Sequence, residues 1–345
     1  MSKQNPTATP KKRLSRKQGI AIGAAGALVL GAGAAGIVLA TRAPEPALEA
    51  QAAGVEQPFD LNSSNAASRP HQEAVAAAQA ELKASGFKPV TAGKLTVAVA
   101  TGAPPLALLA ADDNSTVLGS EADVAQLIAD GLGLQLNLVN VAWADWPLGV
   151  QSGKYDLVSS NVTVTDERME LFDFASTRQD LVGFVVAKDS PIQSIKTEQD
   201  VEGLKLSVSS GTNQEKILLQ WNKDLIKAGK KPAELVYYDD PAATFLALDS
   251  GRIDGYLGPN PTGLYQVAAT GRSKIVGTIE GGWPATAPIA AGTAKGNGLI
   301  KPVQTVLNAA IKDGSYAEVL TRWGLNSEGI EHSEINPAGI PKSVG

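Results

Sequence analysis

Cysteine is absent from all 345 residues, which excludes disulfides, thiolate metal sites and cysteine nucleophiles. It also removes the acceptor that would carry a lipid anchor. Histidine is almost as scarce: His71 and His332 are the only two. Both fall outside the stretch expected to form the main body, so histidine catalysis and zinc chemistry are not expected. A surplus of positive charge is missing too, with 30 Lys and Arg against 35 Asp and Glu for a net charge of −5. No basic surface is available for nucleic acid, which is not expected as a partner. No motif points to a metal or nucleotide, so no cofactor and no catalytic residue is expected.

What is present is an ordinary globular composition, 43% hydrophobic and 19% charged, long enough for about two domains. At the N-terminus Lys11, Lys12, Arg13, Arg16 and Lys17 precede an uncharged run over 19–40. Signal-peptide cores run about 7–15 residues and spanning helices about 20, so residues 1–43 read as either a signal peptide or a membrane anchor. Ala50-Gln51-Ala52 resembles a cleavage site, and Ser15-Arg16-Lys17 is a weak relative of a twin-arginine signal. In both cases positive charge before the apolar run places the bulk of the chain outside the cytoplasm. Residues 44–92 read as a linker carrying a peripheral, Ala-rich helix over Pro70–Ser85 that ends at Gly86.

The folded body is expected from Lys94, where Leu95, Val97 and Val99 alternate with smaller residues. Val124, Leu127, Ile128 and Leu132 share one helical face, and an alternating strand follows over Leu134–Val139. Further strands are predicted at Tyr155–Ser159, Leu181–Ala187, Lys205–Ser209, Glu234–Tyr238, Asp254–Leu257 and Lys274–Thr278. Helices are predicted at Ile217–Ala228, Pro241–Asp249 and Leu299–Lys312. The alternation gives an α/β class with largely parallel sheets, in which ligands sit beyond the carboxyl ends of strands and beside helix N-termini.

Three such junctions stand out. In the first, Thr165 is an N-cap candidate with Asp166, Glu167 and Arg168 behind it. A cation at a helix N-terminus opposes the macrodipole, so Arg168 either shares a bound anion with that terminus or pairs with Asp166, Glu170 or Asp173 on a solvated face. In the second, Thr212 and Glu215 have capping-box spacing after Gly211, which reads either as an anion site or as a well-capped helix. In the third, Asn260 either caps a helix or meets a ligand. Trp143 is a candidate pocket wall, against the commoner reading of a tryptophan as core.

These motifs in order resemble the extracellular solute-binding proteins of family 3, the polar amino-acid ABC-transporter binding proteins. The resemblance runs from about Lys94 to Asn326. It is carried by Lys94-Leu95-Thr96-Val97, by Ser152-Gly153-Lys154-Tyr155-Asp156, and by Thr163-Val164-Thr165-Asp166-Glu167-Arg168 with Phe172-Asp173-Phe174. Ser210-Gly211-Thr212, Gly251-Arg252-Ile253-Asp254 and Arg322-Trp323-Gly324 continue it. It implies a two-lobed type II periplasmic-binding-protein-like fold, each lobe a mostly parallel sheet flanked by helices. Lobe 1 would be 93–182 plus 288–330, lobe 2 would be 183–287, and 331–345 a C-terminal tail. Two hinge crossovers are implied near Leu181–Lys188 and Gly281–Ala291.

The resemblance further implies that Arg168 grips a ligand carboxylate with Asn161 and Thr163 beside it, that Thr212 and Asn213 contribute from lobe 2, and that Trp143 packs on the solute. The family's ammonium-binding acid falls at Pro259, so the carboxylate grip is expected without the standard amine grip. The solute is expected to be a small carboxylate-bearing molecule: an ordinary α-amino acid only where Glu121, Asp145 or Asn260 takes the amine, and otherwise a modified amino acid or another small carboxylate. The function implied is solute binding for an ABC importer, by a monomer partnered with permease transmembrane subunits. Two alternatives stand beside it: a dehydratase-type lyase on the same scaffold, with Glu121 or Asp145 as general acid or base, and a membrane-tethered sensor module.

Overall fold

The computed structural model describes residues 59–238 and 241–342; the N-terminal run expected as signal peptide or anchor lies outside them. Among the described residues no helix is long and apolar enough to cross a membrane.

The first part of the chain gives α1 (Ala76–Ser85), β1 (Lys94–Val99), the hairpin β2 (Leu108–Leu109) and β3 (Val117–Leu118), α2 (Ser120–Leu132) and β4 (Gln135–Asn140). Then come α3 (Trp146–Gln151), β5 (Leu157–Thr163), α4 (Asp166–Met169) and β6 (Phe172–Gln179). The middle part gives β7 (Leu181–Ala187), β8 (Lys205–Ser207), α5 (Asn213–Lys227), β9 (Glu234–Val236), α6 (Pro241–Asp249), β10 (Gly255–Pro259), α7 (Asn260–Thr270) and β11 (Ser273–Glu280). The chain then returns with β12 (Pro288–Ala294), α8 (Ile300–Asp313) and α9 (Ser315–Arg322).

Two five-stranded sheets result, in the orders β4-β1-β5-β12-β6 and β11-β7-β10-β8-β9. In the first, β1 runs parallel to β4 and β5, while β12 is antiparallel to β5 and β6. In the second, β8 runs parallel to β10 and β9, while β7 is antiparallel to β10 and β11. Each sheet is therefore parallel except for one reversed strand. That strand is in each case the one with which the chain enters from the other sheet. A strand that follows directly from a neighbouring lobe needs no βα crossover of its own, so nothing forces it to run with the rest.

The periodicity explains how the faces are covered. Val124, Leu127, Ile128 and Leu132 of α2 are all buried, and the helix stops at Gly133 in the left-handed conformation that glycine adopts without a Cβ penalty. Five of the six residues of β1 are buried, as a central strand covered on both faces requires. In lobe 2, Phe184 of β7 stacks on Trp221 of α5 at 5.6 Å, and Trp283 meets Trp221 edge-on at 5.3 Å. Burying a side chain such as Phe184 contributes about 1.5–3 kcal/mol by area.

Three boundaries differ from those expected. The first crossover is the single residue Asp180, because Leu181–Ala187 has the apolar continuity of a strand and joins the second sheet; the return is residues 281–287. Residues 59–92, expected as a linker with a peripheral helix, pack on lobe 1. Arg69 and Arg322 flank the buried Asp123 at 3.2 and 3.0 Å, and Trp323 Nε1 donates to it at 2.8 Å. Phe59 lies on Trp323 at 5.4 Å and stacks on Tyr265 of α7 in lobe 2 at 6.0 Å. The expected tail is also part of lobe 1: Ile335 bridges to Ala175 and Ile340 to Thr165. Ser176 Oγ accepts from the Glu334 amide at 2.8 Å.

Candidate ligand-binding site

The site is built where β5 ends. Opposite β12 the register slips, so that Ser159, Ser160 and Asn161 face the single residue Ala291, and Asn161 takes a left-handed φ of 51°. A bulge of this kind re-aims side chains. Ser159 Oγ turns to Glu121 Oε2 at 2.9 Å, Ser160 Oγ accepts from the Ala100 amide at 2.9 Å, and Asn161 Oδ1 accepts from Arg178 Nη2 at 2.5 Å. The strand then delivers Thr163 and reaches Thr165, which caps α4 as expected by accepting from the Arg168 amide at 3.1 Å.

Arg168 folds back from that helix across the lobe boundary. Its Nη1 donates to the Thr163 carbonyl at 2.6 Å, and its Nη2 donates to the Gly211 carbonyl of lobe 2 at 3.1 Å. The guanidinium lies 5.6 Å from the Trp143 ring and 5.9 Å from that of Trp146. Burial lowers its pKa to about 10, against the opposing fields of Asp180 and Glu167. The solvated ion pairs weighed for it from sequence do not form. Glu170 pairs with Lys342 and Asp173 with Lys295, and Glu167 reaches Lys216 across the lobes. Among the described residues no carboxylate comes within ion-pair distance of Arg168.

Lobe 2 answers with the start of α5. Thr212 Oγ1 accepts from the Glu215 amide at 3.2 Å and donates to the Ser209 carbonyl at 2.7 Å. Glu215 reaches back to the amide of Gly211 rather than that of Thr212, at 2.6 Å. Gly211 sits at φ +73°. The next residue, Asn213, crosses to the hinge: Nδ2 donates to Asp180 Oδ2 at 2.8 Å and to the Gly281 carbonyl at 2.7 Å. Its Oδ1 lies 3.0 Å from Thr163 Oγ1, whose closer partner is Asp180 Oδ2 at 2.7 Å. Asp180 is 2% exposed. Burial raises its pKa, opposed by Thr163, Arg178, Asn213 and Arg168. Gly281 has to be glycine here, since a Cβ would fall 2.2 Å from Asp180 Oδ2.

Of the residues expected at the site, Arg168, Thr163, Asn213, Thr212 and Trp143 are therefore brought to one lobe junction. Trp143 is half-buried on a 3-10 turn, with its ring nitrogen 4.0 Å from where a Gly211 Cβ would stand, whereas Trp146 is core against Phe172. Glu121 and Asn161 point elsewhere. Both are held by Arg178, which is 2% exposed, bonds Glu121 Oε1 at 2.8 Å and pairs with Glu328. A carboxylate already neutralised by a buried guanidinium has no charge left for a ligand ammonium or for general acid chemistry. Asn260 does not cap α7. It is the first residue of that helix, behind Pro259, and accepts from Thr278 Oγ1 at 3.3 Å.

Asp180 and Arg178 were not anticipated. The signal available was the polar triplet Arg178-Gln179-Asp180 between two apolar strands, where a chain crossing between lobes has to pass through their shared interior.

A family model described as bacterial extracellular solute-binding proteins, family 3, matches residues 95–326. The L-cystine-binding protein TcyJ of Escherichia coli (strain K12) is 29% identical over 233 residues, covering 67% of this chain and 82% of that protein. The ABC transporter arginine-binding protein 1 of the same strain is 24% identical over 244 residues, covering 69% and 93%. Among solved structures, an ancestral arginine-binding protein bound to arginine superposes with a TM-score of 0.60 at 28% identity, over 67% of this chain and 98% of its own.

Proposed function

Since the chain belongs to the bacterial extracellular solute-binding proteins, family 3, we propose that it binds a carboxylate-bearing solute of the amino-acid class between its lobes and presents it to an ABC permease outside the cytoplasm, without transforming it. The observation that carries this reading is Arg168, a half-buried guanidinium at the lobe junction with no carboxylate partner among the described residues. A half-buried cation with no anion beside it gains from one that arrives. The fork geometry suits a carboxylate, and Trp143 supplies an apolar wall beside it. The named relatives and solved structures, which bind L-cystine and arginine, support the amino-acid class.

Closure follows from where the bonds fall. Arg168 grips lobe 1 at Thr163 and lobe 2 at Gly211, and Lys216 meets Glu167 across the same gap. A solute carboxylate on Arg168 thus ties to a group that already touches both lobes, and rotation is absorbed at Asp180 and over 281–287. The commitment of Glu121 to Arg178 takes one of the two candidate acids from the lyase alternative. The test is isothermal titration and thermal shift against the protein L-amino acids and L-cystine, in wild type and Arg168→Ala. Two charge-assisted hydrogen bonds at about 1.5–3 kcal/mol each predict a loss of about 10²–10⁴-fold in affinity. Unchanged affinity in the variant rejects Arg168 as the grip, and turnover of any bound solute rejects the binding-protein reading.

A further inference from the structure

We infer that the C-terminal strap, residues 333–342, is a positioning element of the binding site: it fixes the turn that aims Arg168, with Gly339 and Ile340 as the positioning residues. The inference rests on the reading of Arg168 as the carboxylate grip. The strap lies outside 95–326, the span shared with the family.

The need for such an element follows from the length of α4. Its four residues make a single turn, and one turn closes too few hydrogen bonds to hold its own shape. The first amides of a helix also have no partner inside it. Thr165 supplies one acceptor, its hydroxyl taking the Arg168 amide. The strap supplies another: the Asp166 amide donates to the Ile340 carbonyl at 2.9 Å, and the Ile340 amide donates to the Val164 carbonyl at 3.0 Å. Ile340 thus grips the main chain on both sides of Thr165, in the same run whose Thr163 carbonyl accepts from Arg168 Nη1. Lys342 pairs with Glu170 at the far end of the turn.

The strap can hold α4 because it is itself anchored upstream. The Ser333 amide donates to Asn308 Oδ1 at 2.8 Å. Along the outer edge of β6, the Ser176 amide donates to the Glu334 carbonyl at 3.0 Å and the Asn336 amide to the Phe174 carbonyl at 2.9 Å. The Asn336 side chain accepts from the Phe174 amide at 2.8 Å and donates to Asp173 Oδ1 at 2.9 Å. Asn336 takes a left-handed φ of 48°, a conformation its short polar side chain tolerates, and the strap leaves β6 for α4. Gly339 then arrives so closely that a Cβ would stand 2.9 Å from the Val164 carbonyl oxygen and 3.0 Å from the Thr165 nitrogen. Covering the edge of β6 requires only 334–336; the approach to Val164 and Thr165 acts on α4. A carboxylate fork is planar and directional, so a tilt of this one turn moves Arg168 off both its solute and its Gly211 contact in lobe 2.

Isothermal titration of the full chain with the twenty protein L-amino acids and L-cystine tests this. Ile340→Pro removes the amide that Val164 accepts, and Gly339→Ala pushes the strap away without touching a hydrogen bond, so either serves should the other not fold. Both are expected to weaken each solute that the wild type binds by about tenfold, whereas Ile340→Ala, which keeps both main-chain bonds, stays within about threefold. The same changes are then made in Arg168→Lys, which keeps the charge and loses the fork. There Ile340→Pro is expected to cost less than about threefold, because the group it misaims is gone. Hydrogen exchange of the Ile340→Pro variant without solute is expected to quicken at the Asp166 and Arg168 amides and to hold steady at Ser176.

Unchanged affinity in Ile340→Pro and Gly339→Ala overturns the inference alone, as does unchanged exchange at Arg168. Equal losses in the wild-type and Arg168→Lys backgrounds also overturn it, because the strap would then support the fold at large rather than the fork. Arg168→Lys that binds as tightly as wild type, or wild type that binds none of the panel, overturns this inference together with the reading of Arg168.

Discussion

Glu328 offers a test of the buried charge network that does not involve a ligand. One guanidinium, Arg178, faces Glu121 and Glu328, and Asp180 lies in the same field. A single cation does not neutralise three carboxylates in a dry site, so one of them keeps a proton above its ordinary range. The proton falls on Glu328. It is 1% exposed and its Oε1 has no hydrogen-bond partner, and burial pushes its pKa from 4.5 to about 7. With the folded value above the unfolded one, the resulting stability is fully present below pH 4.5 and is lost as the pH rises through 7. The shift corresponds to at most about 3 kcal/mol. At about 2–4 °C per kcal/mol for a domain of this size, that is a swing on the order of 10 °C. In Glu328→Gln the titrating group is gone. Thermal unfolding of both proteins from pH 5 to pH 8 should therefore show the wild type losing ground to the variant as the pH rises. A gap that stays constant across that range would refute the assignment and place the shared proton on another carboxylate.

Two further outcomes follow from the same geometry. Gly281→Ala drives a methyl into Asp180 and is expected to destabilise the protein by about 1–3 kcal/mol while weakening solute binding, read by thermal unfolding and titration calorimetry. Phe59→Ala removes an aromatic that touches Trp323 and Tyr265. A double-mutant cycle with Tyr265→Ala is expected to return a coupling of about 0.5–1.5 kcal/mol, and additivity would show that the contact carries no energy.

What the sequence displays well is local. The α2 face, the Thr165 cap and the capping of α5 by Thr212 depend on residues three or four apart, and each is found where the spacing places it. Arg168 is legible for the same reason, as a cation where the macrodipole disfavours one. The strands that cross between lobes are harder to see. β12 reads Pro-Ile-Ala-Ala-Gly-Thr-Ala, too small and too weakly patterned to announce a strand, and it is one only because β5 and β6 lie on either side of it. Glu121 was open to misassignment because its partner Arg178 stands 57 positions away. The packing of residues 59–75 has the same origin: Arg69 looks solvated until α2 and α9 enclose Asp123 beside it.

The position of β12 also bears on how the molecule is made. Among the strands of the first sheet β6 pairs only with β12, its other edge meeting the C-terminal segment at Ile335, and β12 follows all of lobe 2 in the chain. A growing chain therefore completes every strand of the second sheet while β5 and β6 still have open edges with nothing between them. Lobe 2 has all its strands over 181–280 and is free to condense early. Lobe 1 waits for about the last sixth of the polypeptide, from Pro288 on, and its closure is a long-range, slow event. Until then the chain holds unpaired strand edges, which keep it both pliable and vulnerable to association.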